Sequence, residues 1–149
     1  MRAKESRKVR EIVGRLNRYE KLPEALVTVA RKFNVRAGQV SAIGGVTHLR
    51  VTEFDIATGR YKEPLERHGM TEVLSLQGNF SLRDGEIFPH LHINACWHEN
   101  GETKMISGHL AAAEVFVCEF HITAYDDVEL VREQDAATGL ALWNLPEEE

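Results

Sequence analysis

The sequence predicts an α/β (α+β) domain made mostly of antiparallel β-sheet packed with one main helix. Three observations carry this. A single stretch, Lys21–Phe33, has apolar residues at helical spacing. From Val40 onward the apolar period drops to about two, as in half-buried strands. Asp84-Gly85 and Asn100-Gly101 then punctuate those runs as tight hairpin turns. At 149 residues the chain suits one domain spanning 1–149, with a single core. A composition of 43% hydrophobic and 28% charged residues is that of a globular protein, not a low-complexity one.

The elements follow in order. Arg10–Leu16 reads as a short first strand. In the helical stretch Pro23 suits the first turn, where its missing N–H costs nothing. Glu24 complements the positive end of the helix dipole, and Arg31 and Lys32 the negative end. Leu22, Leu26, Val29, Ala30 and Phe33 form the apolar face. Val40–Ile43 is a strand expected to end at Gly44-Gly45, and Val46–Phe54 alternates as the next. Thr58-Gly59 signals a turn, with Arg60–Leu65 as the return strand. Thr71–Leu82 is a long strand in which Gly78 marks a bulge. Ile87–Trp97, Lys104–Leu110 and Val115–Ala124 are further strands, with shorter ones at Val128–Arg132 and Leu140–Trp143.

The net charge of −5 opposes a nucleic-acid clamp built on the whole domain. The exception is local. Arg2, Lys4, Arg7, Lys8 and Arg10 make the start basic, and residues 1–9 read as a flexible basic arm. Residues 146–149 form an acidic tail. Cys96 and Cys118 lie in apolar, strand-like runs and read as buried, reduced thiols. No signal-peptide pattern and no apolar run of about 20 residues is present, so a cytoplasmic location without membrane contact is expected.

The strongest chemical signal is Pro89-His90-Leu91-His92-Ile93-Asn94-Ala95-Cys96-Trp97. Alternate strand residues share a face, so His90, His92, Asn94 and Cys96 point one way and Leu91, Ile93, Ala95 and Trp97 the other. With Asn100-Gly101 at the centre of a type I′ turn, Glu99 pairs with Glu102, Trp97 with Lys104, Ala95 with Ile106 and His92 with His109. Three imidazoles, His90, His92 and His109, therefore converge as a metal site. Three histidines with an open fourth position suit Zn²⁺ of the catalytic kind. A slip of one residue would turn His109 to the wrong face. His98 and His121 read as surface residues, and His48 and His68 have no local partner. Glu66, Glu72 and Asn79 merit attention: Glu72 is read evenly as a fourth ligand, as a carboxylate orienting an imidazole, or as a plain surface residue. Gly44-Gly45 lacks the helix a phosphate cradle needs.

Glu72-Val73-Leu74-Ser75-Leu76-Gln77-Gly78-Asn79-Phe80, His90-Leu91-His92 and Gly108-His109-Leu110 resemble the PPC domain, conserved in plants and prokaryotes, in its free-standing prokaryotic form. The helix followed by Val40-Ser41-Ala42-Ile43-Gly44, and the ending Asp135-Ala136-Ala137-Thr138-Gly139-Leu140, extend the resemblance over nearly the whole chain. It implies a homotrimer with zinc at His90, His92 and His109. Plant members carry an AT-hook that binds DNA; this chain has none, so DNA binding does not transfer. The fold also resembles zinc enzymes such as acetolactate decarboxylase, which is analogy at the level of fold.

Two function classes follow. One is a zinc-binding homotrimeric module, regulatory in role, with a small-molecule ligand at the metal. The other is a zinc-dependent lyase or hydrolase acting on a small carbonyl compound, its metal polarising a carbonyl or activating water. No catalytic residue is assigned by sequence. Nucleic-acid binding through the N-terminal arm ranks last.

Overall fold

The computed structural model describes residues 1–147 of the chain. Long alternating runs dominate it: β3 (Gly38–Thr52), β6 (Leu65–Arg83), β7 (Glu86–Glu99) and β8 (Glu102–Tyr125), preceded by β1 (Val9–Leu16), β2 (Lys21–Leu22) and α1 (Glu24–Lys32). Two small ladders complete it, β4 (Phe54–Asp55) with β5 (Arg60–Tyr61), and β9 (Arg132–Gln134) with β10 (Ala141–Trp143).

Every strand pair is antiparallel. The order β8-β3-β6-β7 closes on itself because β7 also pairs with β8, giving a small four-stranded barrel. β1 and β2 add to the free length of β8. Closure pairs the four long strands on both sides over part of their length and leaves β1 as an edge strand. One strand serves all of this. β8 pairs with β7 up to His109, with β3 from His109 to Ala124, and with β1 from Cys118 to Tyr125.

The inward faces make one core. Phe80, Leu49, Leu76, Ile93, Ile122 and Val115 are fully buried, and α1 adds Leu26 and Ala30. Each such Leu, Ile, Val or Phe contributes about 1.5–3 kcal/mol by leaving water. A satellite cluster of Ala37, Val128 and Leu130 lies under the chain between β8 and β9.

The fold class and the one-helix, β-dominated architecture are as the sequence predicts. Several boundaries are not. Gly44-Gly45 does not end a strand: β3 runs through it with register shifts after Ala42, Gly45 and Val46. A chain that must curve round a narrow barrel bends at bulges, and glycine permits them. For the same reason the two strands expected at Lys104–Leu110 and Val115–Ala124 are one continuous β8. The return strand expected over Arg60–Leu65 shrinks to Arg60–Tyr61, and Leu65 opens β6. The helix starts later than Lys21, since Lys21-Leu22 pairs with β8 and Pro23 stands at the N-cap. Phe33 falls at the C-cap and is exposed, outside the apolar face assigned to it. Val131 bridges Leu82 in place of a strand over Val128–Arg132, and β9 begins at Arg132.

At the basic N-terminus the Ser6 hydroxyl and the Arg7 backbone N–H donate to the Asp127 carboxylate, and Arg2 pairs with Glu147. The last two residues of the acidic tail lie outside the described residues. Cys96 and Cys118 are buried free thiols, as expected. Cys96 nevertheless stays out of the main core cluster.

Candidate metal centre

The β7–β8 turn has Asn100 at φ 54° and Gly101 at φ 80°, the two positive values a type I′ hairpin requires. Glu99 faces Glu102, Trp97 faces Lys104, Ala95 faces Ile106 and His92 faces His109. The register is the one read from the turn. His109 sits where β8 passes from β7 to β3, opposite both His92 and Thr52. His90 is held from the other side by β6, with Asn79 as its cross-strand partner. Beneath it, a side chain on Gly78 would run into the His90 carbonyl oxygen, so glycine is required for β6 and β7 to approach.

Three ring nitrogens converge. His90 Nε2 lies 3.2 Å from His109 Nδ1 and 3.2 Å from His92 Nε2, and all three ligand atoms fall within 4.8 Å of one another. Tetrahedral zinc with Zn–N bonds of about 2.0–2.1 Å places its ligand nitrogens about 3.3–3.4 Å apart, so the donor set fits the ion. Hydrogen bonding alone serves it less well. A single ring nitrogen carries either one hydrogen or one lone pair, yet His90 Nε2 faces two other nitrogens. A cation satisfies all three.

The charge state also suits ligation. Burial, then the Arg132 guanidinium, then His109 and His92 push the His90 imidazolium down to about 4. Burial and the neighbouring His92 lower His109 as well. Neutral imidazole is the form that binds metal.

Arg132 is the residue the sequence reading missed, having placed it only at the end of a late strand. Its Nε donates to Ser81 Oγ at 2.8 Å, Nη1 to the Ala141 carbonyl at 2.8 Å and Nη2 to Asn79 Oδ1 at 3.0 Å. Nη2 also lies 3.3 Å from His90 Nδ1. Asn79, flagged from sequence, thus acts beside the triad by holding Arg132. A pocket of about 310 Å³ opens on the centre, bordered by His90, His109, Arg132 and Tyr61. The Tyr61 ring meets His109 edge-on, centroids 5.1 Å apart.

Glu72 is not brought to the triad. It is exposed and pairs with Cys96, far along β6 from Gln77, the residue facing His92. A four-residue displacement along β7, from Cys96 to His92, is over 10 Å at strand rise. Glu66 belongs instead to a separate group with His48 and His68, whose rings stack with centroids 4.6 Å apart. The two histidines without a local partner are therefore partners of each other, paired across β3 and β6. His98 bonds Thr103, His121 pairs with Glu11, and both are exposed.

A closed antiparallel barrel with three imidazoles gathered on one hairpin defines a class of small domains with a candidate metal centre. A family model for the Plants and Prokaryotes Conserved (PCC, also written PPC) domain matches residues 3–126, and the chain belongs to that family. A metal-containing protein from Archaeoglobus fulgidus is 30% identical, with TM-score 0.87 over 96% of this chain and 99% of that one. A PPC protein from Pyrococcus horikoshii is 29% identical, with TM-score 0.83 over 93% of this chain and 94% of that one. A Bacteroides thetaiotaomicron protein described as a candidate DNA-binding protein shares the fold at 19% identity, with TM-score 0.79 over 91% of this chain and 92% of that one. No curated protein matches the sequence. No helix among the described residues is long and apolar enough to cross a membrane.

Proposed function

We propose that this PPC-domain protein is a zinc-binding homotrimer whose metal is held by His90 Nε2, His92 Nε2 and His109 Nδ1. The carrying observation is that His90 Nε2 stands 3.2 Å from both His109 Nδ1 and His92 Nε2. The metal-containing relative from Archaeoglobus fulgidus supports it. Zinc in particular is favoured by an all-nitrogen set at tetrahedral spacing. A regulatory role, in which a small ligand is sensed at the metal, suits a site beside a pocket.

A second reading is favoured by the way the pocket reaches His90 and His109. No carboxylate or thiol joins the triad among the described residues, so a fourth position is free for water or substrate. Such a centre suits a zinc-dependent lyase or hydrolase on a small carbonyl compound. A DNA-binding role has only the basic N-terminus in its favour, against a net charge of −5.

The test is metal content of untagged protein beside His92→Ala. About one zinc per chain, lost in the variant, is the expected result. Protein that stays metal-free when zinc is supplied overturns the reading.

A further inference from the structure

The pocket beside the triad is lined by Arg60, Arg83 and Arg132 and by no carboxylate among the described residues. That departs from the chain as a whole, which has 23 acidic residues against 18 Lys and Arg. Arg132 is part-buried and bonded only to neutral groups: a hydroxyl, a carbonyl and an amide oxygen, with an imidazole alongside. Its charge therefore has no counter-ion among the described residues. The only ion-pair partner of Arg83 among the described residues is Asp84 Oδ2, 3.9 Å away on an exposed turn. Arg60 forms no ion pair among the described residues.

The guanidinium groups are also drawn together. Arg83 and Arg132 both sit over the Phe88 ring, at 5.6 and 5.2 Å from its centroid. The ring attracts both cations while they repel each other. Like charges converging on a part-buried cavity are unfavourable until an anion enters. Phe54, Leu140 and Leu142 give the pocket an apolar stretch of wall, with Gln134 a polar group beside it. At about 310 Å³ the cavity is at the lower end of the range for small-molecule sites.

We infer that this pocket binds the carboxylate of a small organic acid with an apolar body, held by Arg60, Arg83 and Arg132 next to the metal centre. Guanidinium groups match carboxylates in shape and hydrogen-bonding pattern, and the Phe and Leu wall takes the rest of the molecule. The inference rests on the metal reading only for its second part, that anion and metal each favour the binding of the other. Such coupling is reciprocal: zinc raises carboxylate affinity by the factor by which carboxylate raises zinc affinity.

The experiment is titration calorimetry on the full chain at low ionic strength, zinc-loaded and chelator-treated. The probes are benzoate, its neutral isostere benzamide, and inorganic phosphate. Benzoate is expected to bind at least about tenfold tighter than either of the others, and Arg83→Gln to weaken it about tenfold. Arg83 is exposed, so that variant leaves the fold intact; Arg132→Gln is the second, checked by its thermal melt. Benzamide binding as tightly as benzoate, or benzoate binding unchanged in both variants, overturns the anion site. Phosphate binding more tightly than benzoate overturns the organic-acid assignment. Arginine-dependent benzoate binding in a chain that takes no zinc sustains the pocket while the metal reading falls. One zinc per chain with no carboxylate preference does the reverse.

Discussion

Arg132 and His90 share a tension that defines the centre. The Arg132 guanidinium stands 3.3 Å from His90 Nδ1, beside the imidazole that lies between the other two ligands. Its positive charge opposes a second cation there, whether a proton or a metal. It also sets a pH dependence. The unfolded chain protonates its histidines below about 6.5, whereas folded His90 stays neutral down to about 4. Between those values the unfolded state binds more protons, so stability is full above the window and falls as the pH drops through it. Thermal melts of chelator-treated protein between about pH 7 and about pH 4.5 should show a falling midpoint. Arg132→Gln should flatten that slope, since its charge is the second cause of the shift; an unchanged slope would assign the shift to burial alone. The triad was legible in the sequence because one turn sets its register. Arg132 was not, lying 42 residues from His90 with no local pattern to connect them.

Among elements, the meeting of β6 and β7 at Gly78 controls where His90 lies. A methyl group there meets the His90 backbone, so Gly78→Ala must push the strands apart. Overpacking of this kind costs about 1–3 kcal/mol, and it displaces the central ligand. A lowered midpoint in urea, together with weaker zinc retention against a chelator, is the expected pair of results; a variant with full stability would show that β6 yields without strain. The hairpins at Asp84-Gly85 and Asn100-Gly101 could be read from sequence because the information is local. Strand continuity could not. Gly44-Gly45 and the Ala111-Ala112-Ala113 run look like interruptions, yet they lie within long strands that bend through bulges. Likewise His48 and His68 meet only because β3 and β6 pair across a register shift. Nothing near either residue encodes that.

For the whole molecule, closing the barrel buries the inner face and leaves an outer one. The β3–β6 bulge turns Ile43 and Leu74 outward, 56% and 49% exposed. The proposed trimer, by covering them, would account for apolar side chains at the most irregular part of the sheet. Light scattering coupled to gel filtration should report three chains for the native protein and one for Leu74→Asp. A trimer unaffected by that change would place the interface elsewhere.

The three imidazoles lie on one hairpin, and the outermost pair is only 19 residues apart. A denatured chain needs to close only a short loop to bring them together again, at small entropic cost. Zinc would therefore remain partly bound after unfolding. Binding to the unfolded state subtracts from the stabilisation that native affinity would otherwise supply. Melting temperature should then understate how tightly the folded site holds its ion, and zinc present during refolding should favour the β7–β8 pairing before the rest of the barrel closes.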